Sequence, residues 1–176
     1  TVNEGNLELT EEEYLRAIEG KTASLMAVCT GIGAQLGHGS PAQVGALRRF
    51  GFSLGIAFQI ADDILDLVGD PQHMGKRRGQ DLRGGRWTLP LIYVLGGMGD
   101  GHVSALRREL ADYATVDEPR LSSIVEVLRA TGALSRAVAT AQSHVGMARQ
   151  ALAELPETPV RGLLESLADA VVARQH

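Results

Sequence analysis

Phe58-Gln59-Ile60-Ala61-Asp62-Asp63-Ile64-Leu65-Asp66 sets three carboxylates and one amide into an otherwise apolar run. At about 100° per helical residue, Asp62 and Asp66 stand one turn apart on one face, with Asp63 beside them and Gln59 a turn below. Ile56, Phe58, Ile60, Ile64, Leu65, Leu67 and Val68 surround them. The helix is therefore expected to be largely buried, with its acids facing a cavity in the protein. Three adjacent carboxylates repel one another and raise their own pKa values. A hard divalent cation relieves that conflict, and magnesium takes one or two carboxylates together with waters and substrate phosphates. The bland alternative for a bare Asp-Asp-x-x-Asp string is an exposed polar stripe paired with arginines.

The residues that follow favour the cation reading. From Asp70 to Arg86, Pro71, Gly75, Gly79, Gly84 and Gly85 alternate with Lys76, Arg77, Arg78, Arg83 and Arg86, with little apolar periodicity. The pattern predicts a basic, glycine-rich loop. A departing diphosphate gathers charge on its oxygens, so cations and backbone N–H groups around it lower the barrier directly. Lys76 and Arg86 are the candidates in this loop; Arg77, Arg78 and Arg83 have solvated roles as the alternative. Acid on one short helix face and base just beyond it are expected to form opposed walls of one phosphate and metal site.

Upstream, Thr10 and Glu13 form a capping box that opens a helix with apolar positions at Leu15, Ile18, Leu25, Met26 and Cys29. It is expected to fade near Gly37 and Gly39. Lys21 and Thr22 interrupt this helix; Lys21 could reach phosphate, and Thr22 could offer its oxygen to a developing cation. Singly, each is more often a snorkelling lysine or a threonine bonded to its own helix. Ser40, Pro41 and Gln43 mark the start of the helix that carries the acids, which is expected to end near Gly69. Further helices are expected at about 88–96, 102–113, 119–131, 133–155 and 159–174.

The bulk properties agree. A chain of 176 residues with 44% apolar, 22% charged and only 4% aromatic content is globular and favours helices over strands. One helical domain spanning residues 1–176 is expected. A net charge of -4 argues against a nucleic-acid partner. Cys29 is the sole cysteine, which excludes an internal disulfide and a multi-cysteine zinc site. A small buried side chain is the expectation for it, and a reducing cytoplasm the expected compartment. His38, His73, His102, His144 and His176 lack metal-ligand spacing. The chain opens at Thr1 without an initiator Met, so a longer polypeptide is expected.

Read in order, Gly20-Lys21-Thr22, Gly51 through Gly55, the acidic stretch, Gly75-Lys76, Gly79-Gln80-Asp81-Leu82 and Gly85-Arg86-Trp87-Thr88-Leu89-Pro90 resemble the trans-type polyprenyl diphosphate synthase family. The resemblance implies an all-α fold, an antiparallel helix bundle of the isoprenoid synthase type, incomplete here as the carboxy-terminal half of a larger synthase domain. It implies a homodimer that extends an allylic diphosphate with isopentenyl diphosphate. Asp62, Asp63 and Asp66 match the second aspartate-rich motif, which holds magnesium. Lys21 and Lys76 match diphosphate-contacting lysines, and Thr22 and Gln59 match residues facing the carbocation. Arg86 stands where the family usually has lysine, which keeps the charge and changes the donor geometry.

The family's first aspartate-rich motif belongs upstream of the lysine-threonine helix and is not in this sequence. The chain alone is therefore not expected to turn over. Two rival readings remain: a class I terpene cyclase, which shares the bundle and the metal-triggered ionisation, and a non-catalytic subunit of a hetero-oligomeric synthase.

Overall fold

The computed structural model describes residues 4–70, 75, 77–97 and 101–173, the side chains of residues 101, 102 and 105 excepted. Among the described residues every regular element is helical. Helix α1 (Glu11–Ile18) passes through a π-helical turn (Glu19–Ala23) into α2 (Ser24–Leu36), and α3 (Pro41–Val68) follows. Then come a single turn α4 (Gln80–Arg83), α5 (Leu89–Leu95), α6 (Gly101–Leu110), a 3-10 turn at Tyr113–Thr115, α7 (Glu118–Ala130), α8 (Ala133–Ala153) and α9 (Pro159–Ala173).

Both expected capping boxes form. Thr10 N–H donates to Glu13 Oε2 at 2.9 Å while Glu13 N–H donates to Thr10 Oγ1 at 3.3 Å. Ser40 N–H donates to Gln43 Oε1 at 2.8 Å, answered by Gln43 N–H to Ser40 Oγ at 3.3 Å. Each pair satisfies amide donors that a helix start leaves open.

The π turn overturns part of the expected helix face. Tyr14 and Ile18 are buried four residues apart, but the next buried residue is Ala23, five on. One extra residue in the turn rotates everything after it by about 100°. Leu25 and Cys29, which an unbroken α-helix would keep on the Ile18 face, are exposed instead. The expectation of a buried Cys29 is thereby corrected. Leu25, Val28, Ile32 and Leu36 form an exposed apolar stripe along α2. The loop after α3 also differs from expectation, because it contains the helical turn α4.

The chain divides into two compact units, Thr1–Tyr14 with Asp62–Val138, and Leu15–Ala61 with Ala139–His176. In the first, α5 packs against α6 and α7, and α4 against the 3-10 turn. Trp87 is buried and meets Tyr113 edge-on at 5.5 Å. In the second, Phe50, Leu54, Ala57 and Ala61 of α3 pack with Val145, Ala148, Ala151 and Leu152 of α8 and with Ala168 and Val171 of α9. Gly51 and Gly55 bring α3 onto the helix before it. A Cβ on Gly51 would lie 2.3 Å from Thr30 Oγ1, and one on Gly55 would lie 2.6 Å from Ala23 Cα.

Candidate functional site

Lys21 and Thr22 lie inside the π turn, the one place in the long first helix where the backbone departs from α geometry. Such insertions often mark functional positions because they aim side chains that a regular helix would point elsewhere. Lys21 is exposed. Thr22 Oγ1 donates to Oε1 of the buried Gln59 on α3, at 2.8 Å. This bond commits the threonine proton to the amide oxygen. The structure thus joins the two residues that the sequence singled out as cation-facing. The glycine contacts beside it set the spacing.

The three acids at the end of α3 are not equivalent. Asp62 is exposed, whereas Asp63 and Asp66 are 5% and 2% exposed. Asp63 Oδ2 accepts the phenol proton of Tyr14 at 2.8 Å. Asp66 Oδ2 accepts the backbone N–H of Asp81 at 3.0 Å, and its carbonyl accepts Gly79 N–H at 2.6 Å. Burial first, and then the Asp63 carboxylate, push the Tyr14 phenol well above its ordinary pKa of 10.0, so it remains a proton donor. Among the described residues no three acid, imidazole or thiol groups gather into a ready-made metal cluster.

The donor set nevertheless fits magnesium, which keeps most of its waters and needs only one or two carboxylates beside substrate phosphate. Asp62 is exposed, and Asp63 and Asp66 each have an oxygen engaged by protein. Partners of that kind orient ligands and tune the metal they serve.

The loop after α3 uses much of its charge internally. Arg86 Nε donates to Asp81 Oδ1 at 2.8 Å, and its side chain stays 56% exposed. Arg78 pairs with Glu118 and Ser122, and Arg83 Nε donates to the Val116 carbonyl at 2.6 Å. Arg78 and Arg83 therefore tie the loop to α7 and the segment before it. Arg77 is exposed. Lys76 lies outside the described residues, as do His73 and His176 and the side chain of His102.

Sequence reasoning missed Tyr14 and Asp81. Tyr14 carried no signal beyond an aromatic residue one turn into a capped helix, and its partner lies 49 residues away. Asp81 sat within a quoted motif, but its hydrogen bond to Asp66 comes from the backbone, which no side-chain pattern reveals.

Comparison with known proteins agrees with this arrangement. Residues 1–128 match the polyprenyl synthetase family. The short chain isoprenyl diphosphate synthase of Methanothermobacter thermautotrophicus is 38% identical over 175 residues, covering 98% of this chain and 52% of that protein. Octaprenyl diphosphate synthase of Escherichia coli is 34% identical over 176 residues, covering 98% of this chain and 53% of its own length. The polyprenyl synthase of Caulobacter crescentus, solved with calcium and isoprenyl diphosphate, superposes with a TM-score of 0.90 at 34% identity, over 99% of this chain and 53% of that one. The chain thus spans about half the length of these relatives. Family match, all-helical fold and the acidic, glycine and lysine-threonine motifs coincide, and the chain belongs to the polyprenyl synthetase family.

Proposed function

We propose that this chain supplies the second acidic motif and part of the diphosphate-binding machinery of a prenyltransferase that condenses isopentenyl diphosphate with an allylic diphosphate. It corresponds to the carboxy-terminal half of a larger synthase domain. The observation that carries the reading is the division among the acids of α3: Asp62 faces outward, and Asp63 and Asp66 are each fastened by the protein. An ordinary solvated stripe would not bury two of its three carboxylates.

In this reading Asp62, Asp63 and Asp66 hold magnesium, which when bound neutralises the diphosphate leaving group. Lys21, Lys76 and Arg86 bind the diphosphate oxygens. As the carbon–oxygen bond breaks, the electron pair leaves with diphosphate and an allylic cation remains. Thr22 and Gln59 face that cation with oxygen lone pairs. The isopentenyl double bond then forms the new carbon–carbon bond, and the departing proton goes to the released diphosphate. No protein base is needed.

A homodimer is part of the proposal, supported by the exposed stripe of Leu25, Val28, Ile32 and Leu36. Among the described residues no helix is long and apolar enough to cross a membrane; the cytoplasm is the proposed compartment.

The test is incorporation of labelled isopentenyl diphosphate into longer prenyl diphosphates by the intact enzyme, titrated with magnesium. Asp62→Asn is expected to lower turnover by roughly 100-fold with little change in thermal midpoint. Undiminished turnover in that variant would overturn the assignment.

A further inference from the structure

Tyr14 is 5% exposed, and its phenol oxygen lies 2.8 Å from Asp63 Oδ2. Its backbone is fixed as firmly as its ring. Tyr14 N–H donates to the Thr10 carbonyl at 3.0 Å, within the turn closed by the Thr10–Glu13 capping box. A phenol anchored at the capped start of α1 therefore meets a carboxylate near the end of α3. A carboxylate that accepts a directed O–H bond on one oxygen loses rotation about its terminal torsion, so its second oxygen is aimed as well. The sequence motif accounts for Asp63 and says nothing of what orients it.

We propose that Tyr14 is a positioning residue for the acidic end of α3: it fixes Asp63 in the orientation that cation binding requires, and so sets metal affinity without touching the metal. The inference rests on the reading of Asp62, Asp63 and Asp66 as the cation site. A tyrosine that merely packed would affect stability and leave metal affinity alone. One that orients a metal-site carboxylate should shift affinity by roughly 10-fold, the lower end of what partners behind metal ligands contribute.

The experiment measures Mn2+ binding by electron paramagnetic resonance, with inorganic pyrophosphate present, in the intact protein. Tyr14→Phe keeps the ring and removes the donor, and is expected to weaken Mn2+ binding roughly 10-fold. Tyr93→Phe removes a phenol donor whose partner is Glu11, at 2.6 Å, and is expected to leave Mn2+ affinity unchanged. In an Asp63→Asn background, Tyr14→Phe should produce no further loss, because the route through Asp63 is already broken. Unchanged affinity in Tyr14→Phe, or an equal loss in both backgrounds, overturns the proposal and leaves the cation site standing. Wild-type protein that binds Mn2+ no better than Asp62→Asn overturns the cation site, and the proposal with it. If Tyr14→Phe does not fold, 3-fluorotyrosine placed at position 14 serves instead. Its fluorine resonance must move when magnesium pyrophosphate is added, and a resonance that stays fixed counts against the proposal.

Discussion

Thr22 and Gln59 share a hydrogen bond of 2.8 Å in which the hydroxyl donates and the amide oxygen accepts. Gln59 is buried, so the bond replaces water that its amide would otherwise need. Thr22→Val preserves the shape and deletes the donor. Stability is expected to fall by about 1 kcal/mol in urea unfolding. Turnover should fall through kcat with KM nearly constant, because the oxygen is proposed to act on charge present only as the bond breaks. Thr22→Ser, which restores the hydroxyl, should recover most of both. A valine variant with unaltered kcat would remove Thr22 from the chemistry.

Glycines within the helices give predictions of opposite sign at different positions. Gly55 has no room for a Cβ, since one would fall 2.6 Å from Ala23 Cα and 3.2 Å from Ala23 N, both backbone atoms that cannot rotate aside. Gly55→Val should therefore cost about 3 kcal/mol and displace the π turn that carries Lys21 and Thr22. Gly146 on α8 and Gly162 on α9 have nothing within 4 Å of a built Cβ. Gly146→Ala and Gly162→Ala are each expected to stabilise by about 0.5–1 kcal/mol, the helix-propensity difference. Urea midpoints read all three, and a tolerated valine at 55 would contradict the close approach.

Asp66 works through the loop more than through its own exposure. Its side chain accepts Asp81 N–H and its carbonyl accepts Gly79 N–H, so one residue pins the start of α4 at two points. Asp66→Asn weakens a charge-assisted acceptor and should cost about 2 kcal/mol. Amide exchange at Asp81 should accelerate more than exchange in α3. Asp62→Asn, on an exposed residue, should leave both quantities unchanged while removing metal response. If the two variants behave alike in exchange, the division among the acids is wrong.

How much of this was legible follows from the range of each interaction. The capping boxes at Thr10–Glu13 and Ser40–Gln43 span three residues, and the sequence predicts both correctly. The turn at Glu19–Ala23 was hidden, because an inserted residue is visible only as a phase slip between Ile18 and Ala23, which alanine does not advertise. Leu25 and Cys29 were misplaced for that reason alone. The acidic face could be read in outline from helical spacing. The burial of Asp63 and Asp66 against the exposure of Asp62 depends on Tyr14 and on the Asp81 backbone, contacts that no local pattern encodes. The loop arginines were ambiguous because a guanidinium that binds phosphate and one that ties down a carbonyl look the same in sequence; the bond from Arg83 to Val116 decides the second for that residue.

His144 provides a pH dependence. Its Nδ1 is buried without a hydrogen-bond partner among the described residues, and burial lowers its pKa from the ordinary 6.5, opposed in part by the charge of Glu19. Below pH 6.5 the unfolded chain takes up a proton here that the folded chain resists, so the unfolded state binds more protons and stability rises with pH through that window. The His144 contribution is thus complete above pH 6.5 and is lost as the pH falls toward the depressed folded value. His144→Gln lacks this titration. Urea unfolding of wild type and variant at about pH 7.5, 6 and 5 should show a stability difference that is flat at the alkaline end and drifts in the variant's favour below it. Other carboxylates and histidines cancel in the difference. Glu19→Gln removes the charge that opposes burial and should steepen the wild-type drift, whereas parallel curves would show that the imidazole titrates alike in both states.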